Sequence, residues 1–185
     1  NAQLAPRLLN VSGGADPIPA SIEITVPDHM TVIPFSTAQA EVVSEHVDGT
    51  ATWRYESSGT GGILYAGDYI RQDIEAGGIT IQFYYGRKHQ AAMEAAGAVQ
   101  AVKAVVDYCT EHYGPLSYNT GSTLKLIQSR VLGGGYAADG ASLLDEADFT
   151  DASLNDRDKG AAPGEVMIHE LVHQWWGLAN MFDVS

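Results

Sequence analysis

One short stretch near the end of the chain constrains its possible fold and function more than any other. Residues 163–177 read Pro-Gly-Glu-Val-Met-Ile-His-Glu-Leu-Val-His-Gln-Trp-Trp-Gly and contain the pattern His-Glu-x-x-His. On a helix, His169 and His173 are four residues apart and lie one above the other on one face. Two neutral imidazoles so placed can both reach one zinc ion at about 2.0–2.1 Å. Glu170 lies roughly 100° around the helix from His169, near enough to accept a proton from a water there. The spacing predicts the zinc site of a hydrolase.

The alternative interpretation is a core helix that carries two histidines by chance. Apolar residues flank the motif on nearly every side of the helix: Val166, Met167, Ile168, Leu171, Val172, Trp175, Trp176 and Leu178. A helix that is apolar all round is normally buried. Burying two imidazoles and a carboxylate is costly unless a partner compensates, and a metal ion is such a partner. The flanking residues therefore favour the zinc interpretation.

Composition excludes several other classes of function. The 185 residues are 45% apolar, and 10 Lys and Arg stand against 23 Asp and Glu, which gives a formal net charge of −13. Such a charge argues against nucleic acid or an anionic membrane surface as a partner. The chain has no apolar run of 18 residues, so we expect no membrane-spanning segment. The single cysteine, Cys109, excludes an internal disulfide and is expected to be a small buried hydrophobe.

The periodicity of the chain predicts an α+β fold in two parts. Residues 20–85 alternate polar and apolar side chains in short runs, which is typical of strands, and Asp48-Gly49 is the signal of a hairpin turn. Ile79 to Tyr85 is the strongest of these predicted strands. We therefore predict a β-rich domain over residues 1–87 and a second domain over residues 88–185.

The second part begins with apolar residues at helical spacing, which predict one long helix over residues 89–113 that ends at Gly114-Pro115. Residues 122–132 are predicted to form a strand with Leu124 and Leu126 on one face and Lys125 on the other. Glycines 133–135 follow and predict a turn that another backbone or a ligand can approach closely. Residues 141–144 are predicted to form a short strand.

With these residues in view, the chain resembles the M1 family of zinc aminopeptidases, which are gluzincins. The likeness rests on His169-Glu170-Leu171-Val172-His173-Gln174-Trp175-Trp176-Gly177, on Tyr113-Gly114-Pro115 and on the order of the elements. The resemblance implies a β-rich domain followed by the first part of a thermolysin-like zinc peptidase domain. It also implies Zn²⁺ as cofactor, a peptide as substrate, His169 and His173 as zinc ligands, and Glu170 as general base.

The chain departs from that family at the third zinc ligand. The family carries a glutamate nineteen positions after the second histidine, and this point falls beyond Ser185. A catalytic zinc ion usually has three protein ligands. We therefore expect the chain to be part of a longer protein whose remaining catalytic domain supplies the third ligand. By itself the chain is expected to bind zinc weakly and to be inactive.

A second departure concerns recognition of the substrate. The resemblance implies that Gly134, Gly135, Tyr136 and Ala137 contact the substrate, but Ala137 stands where the family carries the glutamate that binds the free amino group. An alternative function is therefore a peptide-binding or scaffolding domain without aminopeptidase activity. The compartment stays open; a soluble domain within a larger, membrane-associated bacterial protein is compatible with the divergent turn.

Overall fold

The computed structural model describes residues 20–57, 63–116, 122–129, 134–138, 140–145 and 165–176. Strands predominate and a few helices accompany them, so the fold is α+β as predicted. Contacts within the chain divide it into two compact units, one ending at Asp68 and the other starting at Tyr69. Within the described residues, no helix is long and apolar enough to cross a membrane.

The described residues of the first unit form five strands in two antiparallel groups. They are β1 (Ala20–Pro27), β2 (Thr31–Pro34), β3 (Glu41–Glu45), β4 (Thr50–Ser57) and β5 (Leu64–Gly67). The orders are β1-β4-β3 and β2-β5. The predicted hairpin between β3 and β4 is confirmed. Gly49 has a φ of 77°, and a carboxylate oxygen of Asp48 accepts hydrogen bonds from the backbone N–H and the hydroxyl of Thr50 at 3.2 and 2.7 Å.

The second unit contains a five-stranded mixed sheet. Its strands are β6 (Tyr69–Ala76), β7 (Ile79–Gly86), β8 (Thr123–Ser129), β9 (Gly135–Ala138) and β10 (Ala141–Asp145), in the order β6-β7-β8-β10-β9. The three central strands β7, β8 and β10 are parallel, while β6 and β9 pair antiparallel with their neighbours. Among the described strands, β9 therefore lies at one edge of the sheet.

The pairing of β7 with β8 affects where the chain divides into two units. We predicted a domain boundary at residue 87, where strand-like sequence gives way to helical sequence. In the structure, β7 lies in register with β8, with Phe83 opposite Leu126, so β6 and β7 share a sheet with residues far along the chain. The contacts accordingly divide the chain between Asp68 and Tyr69, eighteen or so residues earlier than the change in periodicity.

The helices differ from the single long helix predicted over residues 89–113. A 3₁₀ turn at Arg87–His89 leads into α1 (Gln90–Ala95), and α2 (Ala98–Tyr113) follows. Gly97 separates α1 from α2 because its φ of 65° is left-handed and interrupts the right-handed helical backbone. The prediction of one continuous helix is therefore wrong, and the predicted end at Gly114 is confirmed. Helix α3 (Glu165–Val172) carries His169 and Glu170 of the motif, and His173 follows its last residue.

Helices α2 and α3 pack on one face of this sheet. The core there contains Ile81, Phe83, Leu124, Leu126, Val102, Val106, Cys109, Met167, Leu171 and Trp175. The alternation predicted for β8 is confirmed on this face by Leu124 and Leu126. On the other face, Lys125 is only 1% exposed, since central parallel strands are commonly buried on both faces. Burial, with a smaller contribution from the positive charge of Arg71, lowers the pKa of Lys125 to about 8.

The glycine-rich segment also differs from its prediction. Glycines 133–135 were predicted to form a turn and residues 141–144 a short strand, of which only the strand is confirmed. In the structure, Gly135–Ala138 is itself a strand, and Ala141–Asp145 lies inside the sheet between β8 and β9. The prediction failed because small residues such as Gly and Ala carry no strand signal of their own, and pairing with β10 supplies the order instead.

Candidate metal centre

Helix α3 places the two histidines of the motif on one face. The helix ends at Val172, but the backbone N–H of His173 still bonds to the carbonyl of His169 at 3.2 Å. The next two N–H groups bond three residues back, at Gln174 and Trp175, which is the tighter geometry common at helix ends. His173 is therefore the last residue with an α-helical bond in this unbroken run, and it lies one turn after His169, as the i, i+4 spacing predicts.

The motif helix is amphipathic, whereas its sequence suggested an apolar surface all round. Met167, Leu171 and Trp175 are buried toward the sheet, and His169 is exposed. His173 is half-buried, and Glu170 is only 6% exposed. Of the three polar side chains of the motif that were expected to be buried, only Glu170 is fully buried. The two imidazoles lie at the open side of the helix, where a ligand can reach them.

The two imidazole rings face each other through the same ring nitrogen, Nε2. The Nε2 atoms of His169 and His173 are 3.0 Å apart. The other ring nitrogen of His173, Nδ1, lies 3.0 Å from the backbone carbonyl of Trp176. A carbonyl oxygen only accepts hydrogen bonds, so Nδ1 carries the proton and donates it. A neutral His173 therefore has its lone pair on Nε2, which is the nitrogen that faces His169.

These residues fit a zinc ion. One nitrogen from each histidine and one carboxylate oxygen of Glu170 all lie within 4.8 Å of one another. Two nitrogens bound to one tetrahedral zinc at about 2.0–2.1 Å are roughly 3.3 Å apart, so the 3.0 Å between the Nε2 atoms needs only a slight opening. The hydrogen bond from His173 to Trp176 is the kind of outer contact that orients a metal-binding histidine.

The side chain of Glu170 lies directly against the backbone of the edge strand β9. A Cβ atom at Gly135 would lie 2.7 Å from Oε1 of Glu170 and still closer to its Cγ and Cδ. Only glycine leaves room for the carboxylate at this point. Another backbone or a ligand was predicted to approach these glycines closely, whereas the group that lies against Gly135 is a side chain of the motif.

Two buried polar side chains join the motif helix to the neighbouring strands. The hydroxyl of Ser142 on β10 donates to the backbone carbonyl of Glu170 at 3.0 Å. The side-chain amide of Gln174 donates to the carbonyl of Ala138 on β9 at 3.1 Å and to the hydroxyl of Ser142 at 3.2 Å. The sequence reasoning assigned no role to Ser142 or to the side chain of Gln174. A serine in an apolar strand was the only available signal.

The end of the motif helix is anchored to the end of α2. The indole N–H of Trp175 donates to the carbonyl of Gly114 at 2.9 Å. The ring of Trp176 meets the ring of Tyr113 edge to face, with centroids 5.1 Å apart. The resemblance rested in part on Tyr113-Gly114 and on Trp175-Trp176, and the structure brings these two dipeptides into contact.

The four residues predicted to contact substrate all belong to or adjoin β9. Gly134 has a φ of 118°, and its carbonyl accepts from the N–H of Asp145 at 3.1 Å. Gly135 and Ala137 pair with Leu144 and Ser142, so they share the sheet face that carries α3. Tyr136 alternates to the opposite face and is 57% exposed. Asp139, an acidic residue that could replace the missing glutamate in binding an amino group, lies outside the described residues.

Comparisons with known proteins bear on the fold of the chain alone. No protein-family profile matches the chain, and no curated protein matches it. Among solved structures, the chain is similar to an M1 zinc metallopeptidase from Deinococcus radiodurans, solved as a point mutant, with a TM-score of 0.50 and 16% sequence identity. The match covers 88% of this chain and 35% of that one. The chain thus shares a fold with about a third of an M1 zinc metallopeptidase.

Proposed function

We propose that this chain carries the zinc-binding histidines and the general base of an M1-type metallopeptidase. His169 and His173 would hold the metal, and Glu170 would act as the general base in the hydrolysis of peptide bonds. The remainder of the catalytic domain would supply the third ligand. The second unit would then be the first part of a thermolysin-like domain. The observation that carries the proposal is the 3.0 Å approach of two Nε2 atoms beside the buried carboxylate of Glu170.

Each residue has a distinct part in the proposed reaction. Zinc, when bound, supplies Lewis-acid activation of the attacking water and of the peptide carbonyl. Glu170 accepts a proton from the attacking water and delivers it to the leaving nitrogen. His173 is held in the required tautomer by its bond to the carbonyl of Trp176. The outer edge of β9 can pair with the backbone of an extended peptide, beside Gly135, where Glu170 lies.

A specific observation favours the second candidate, a peptide-binding domain without aminopeptidase activity. Ala137 occupies the position implied for the carboxylate that binds a free amino group. It lies on the α3 side of the edge strand, opposite Ser142. A methyl group there cannot pair with an ammonium group. Pairing of a peptide backbone with β9 belongs to both proposals.

Hydrolysis of matched peptides distinguishes these functions. The full-length protein, loaded with zinc, is given one peptide with a free amino terminus and the same peptide acetylated. Glu170→Gln is the control variant, because the amide keeps the shape of the side chain but cannot accept the proton. We expect cleavage that this variant lowers by about 10²- to 10⁴-fold. Cleavage of the free peptide alone identifies an aminopeptidase, and cleavage of both an endopeptidase. If a zinc-loaded protein binds the peptides and cleaves neither, the peptidase proposal is wrong.

A further inference from the structure

The buried amide of Gln174 connects the motif helix to two strands at once. Gln174 is 3% exposed, and its Nε2 donates both of its protons, one to the carbonyl of Ala138 and one to the hydroxyl of Ser142. Ala138 belongs to the edge strand β9 and Ser142 to the neighbouring strand β10. One side chain thus holds the end of the helix against both strands.

The direction of every bond in this group follows from its chemistry. The carbonyls of Ala138 and Glu170 can only accept, so Gln174 donates to the first and Ser142 donates to the second. The hydroxyl of Ser142 has one proton, and it therefore accepts from Gln174 through a lone pair. No other arrangement of protons satisfies the three bonds. A side chain at position 174 that lacks two donors breaks the group.

The two ends of the short edge strand are both held by residues of the motif segment. At the far end, the carbonyl of Ala138 bonds to Gln174. At the near end, the backbone of Gly135 lies against the carboxylate of Glu170. Glu170 belongs to α3 and Gln174 follows the last residue of that helix, and their own contacts place both side chains against β9. The spacing between β9 and Glu170 is thus set at two points along the strand.

We propose that Gln174, acting through Ser142, is a positioning residue that fixes the edge strand β9 relative to Glu170. This inference rests on the proposed function, in which β9 aligns a peptide and Glu170 moves the proton. A peptide paired with β9 moves with that strand, so the distance from Glu170 to the scissile bond depends on where β9 lies. A polar group with a single satisfied arrangement defines that distance more sharply than apolar packing does.

The variants that test this role remove the hydrogen bonds and keep the volume. Gln174→Met has a similar length and no donor, and Ser142→Ala removes only the hydroxyl. Gln100→Met is the matched control, because it makes the same chemical change on an exposed side of α2. Amide hydrogen exchange is followed in peptides that cover β9, β7 and β8. Zinc content, kcat and KM for the acetylated and free peptides are measured on the same full-length preparations.

We expect exchange in β9 to accelerate roughly tenfold in Gln174→Met and Ser142→Ala, with little change in β7 and β8. We also expect kcat to fall about 10- to 100-fold at unchanged zinc content, with a smaller change in KM. Gln100→Met should match the wild type in every measurement. Unchanged exchange in β9 overturns the inference, and so does equal acceleration in all strands, which would indicate a general loss of stability. Accelerated exchange in β9 with an unchanged kcat overturns it as well.

Failure of the proposed function has a different signature. If the wild-type protein binds zinc and cleaves neither peptide, the peptidase assignment is wrong whatever the variants do. The exchange measurements need no catalysis, so they still decide whether Gln174 holds β9. The inference and the function on which it rests can therefore fail separately.

Discussion

The contact between Gly135 and Glu170 makes a strong prediction for the substitution Gly135→Ala. The new Cβ would lie 2.7 Å from Oε1 of Glu170 and closer to its Cγ and Cδ, whereas ordinary contacts between non-bonded carbons are about 3.5–4.0 Å. The side chain or the strand must therefore move by roughly 1 Å. Gly135 is not among the described glycines with positive φ, so the backbone itself accepts alanine.

The size of the effect follows from the burial of the carboxylate. Glu170 is 6% exposed, so its side chain has little free space into which to move. Overpacking of a buried site by one methyl group typically costs about 1–3 kcal/mol in the free energy of unfolding. If the strain is relieved by moving Glu170, a displacement of about 1 Å should lower kcat on the order of 10²-fold.

A double-mutant cycle separates this steric effect from any other consequence of the alanine. The three clashing atoms of Glu170 all lie beyond its Cβ, so Glu170→Ala removes them. Urea unfolding is measured for the wild type, both single variants and the double variant. We expect Gly135→Ala to cost about 1–3 kcal/mol alone and nearly nothing in the Glu170→Ala background. An equal cost in both backgrounds would refute the steric explanation.

Three further predictions concern the rest of the second unit. In the folded protein the pKa of Lys125 is about 8, below its ordinary value of 10.5. Between these two values the folded state binds fewer protons than the unfolded state. The free energy of unfolding should therefore rise as the pH increases above about 8. In urea unfolding from about pH 7.5 to 9.5, Lys125→Met should flatten that rise, and a wild-type curve that is already flat would contradict the lowered pKa. Burial raises the pKa of the Cys109 thiol, and a thiol reagent should label it only after unfolding in urea; rapid labelling of the native protein would count against its burial. Gly97→Ala should cost about 1 kcal/mol because of its φ of 65°, and Gly97→Asn should cost less; equal stability of all three proteins would show that the break between α1 and α2 does not need a left-handed residue.

Elements whose cause lies in a few neighbouring residues were predictable from the sequence. The pairing of His169 with His173 needs only one turn of helix, because side chains four residues apart always meet on that structure. The hairpin at Asp48-Gly49 needs only a local turn that favours a positive φ. Strand β7 was predicted from its alternation, and the structure contains it at Ile79–Gly86. In each case the physical reason operates within a short span of chain.

The surroundings of the candidate site depended on residues that are distant in the chain. Ser142 and Glu170 are 28 residues apart, and Ala138 and Gln174 are 36 apart, so nothing in either segment predicts their hydrogen bonds. The need for glycine at position 135 arises only because Glu170 arrives there from another element. The burial of Lys125 was not predictable, because alternation along a strand separates two faces but does not tell which of them is covered. The sequence by itself determined the chemistry of the motif through local helical geometry, and the tertiary structure alone decided which backbone and which buried polar groups hold that motif in place.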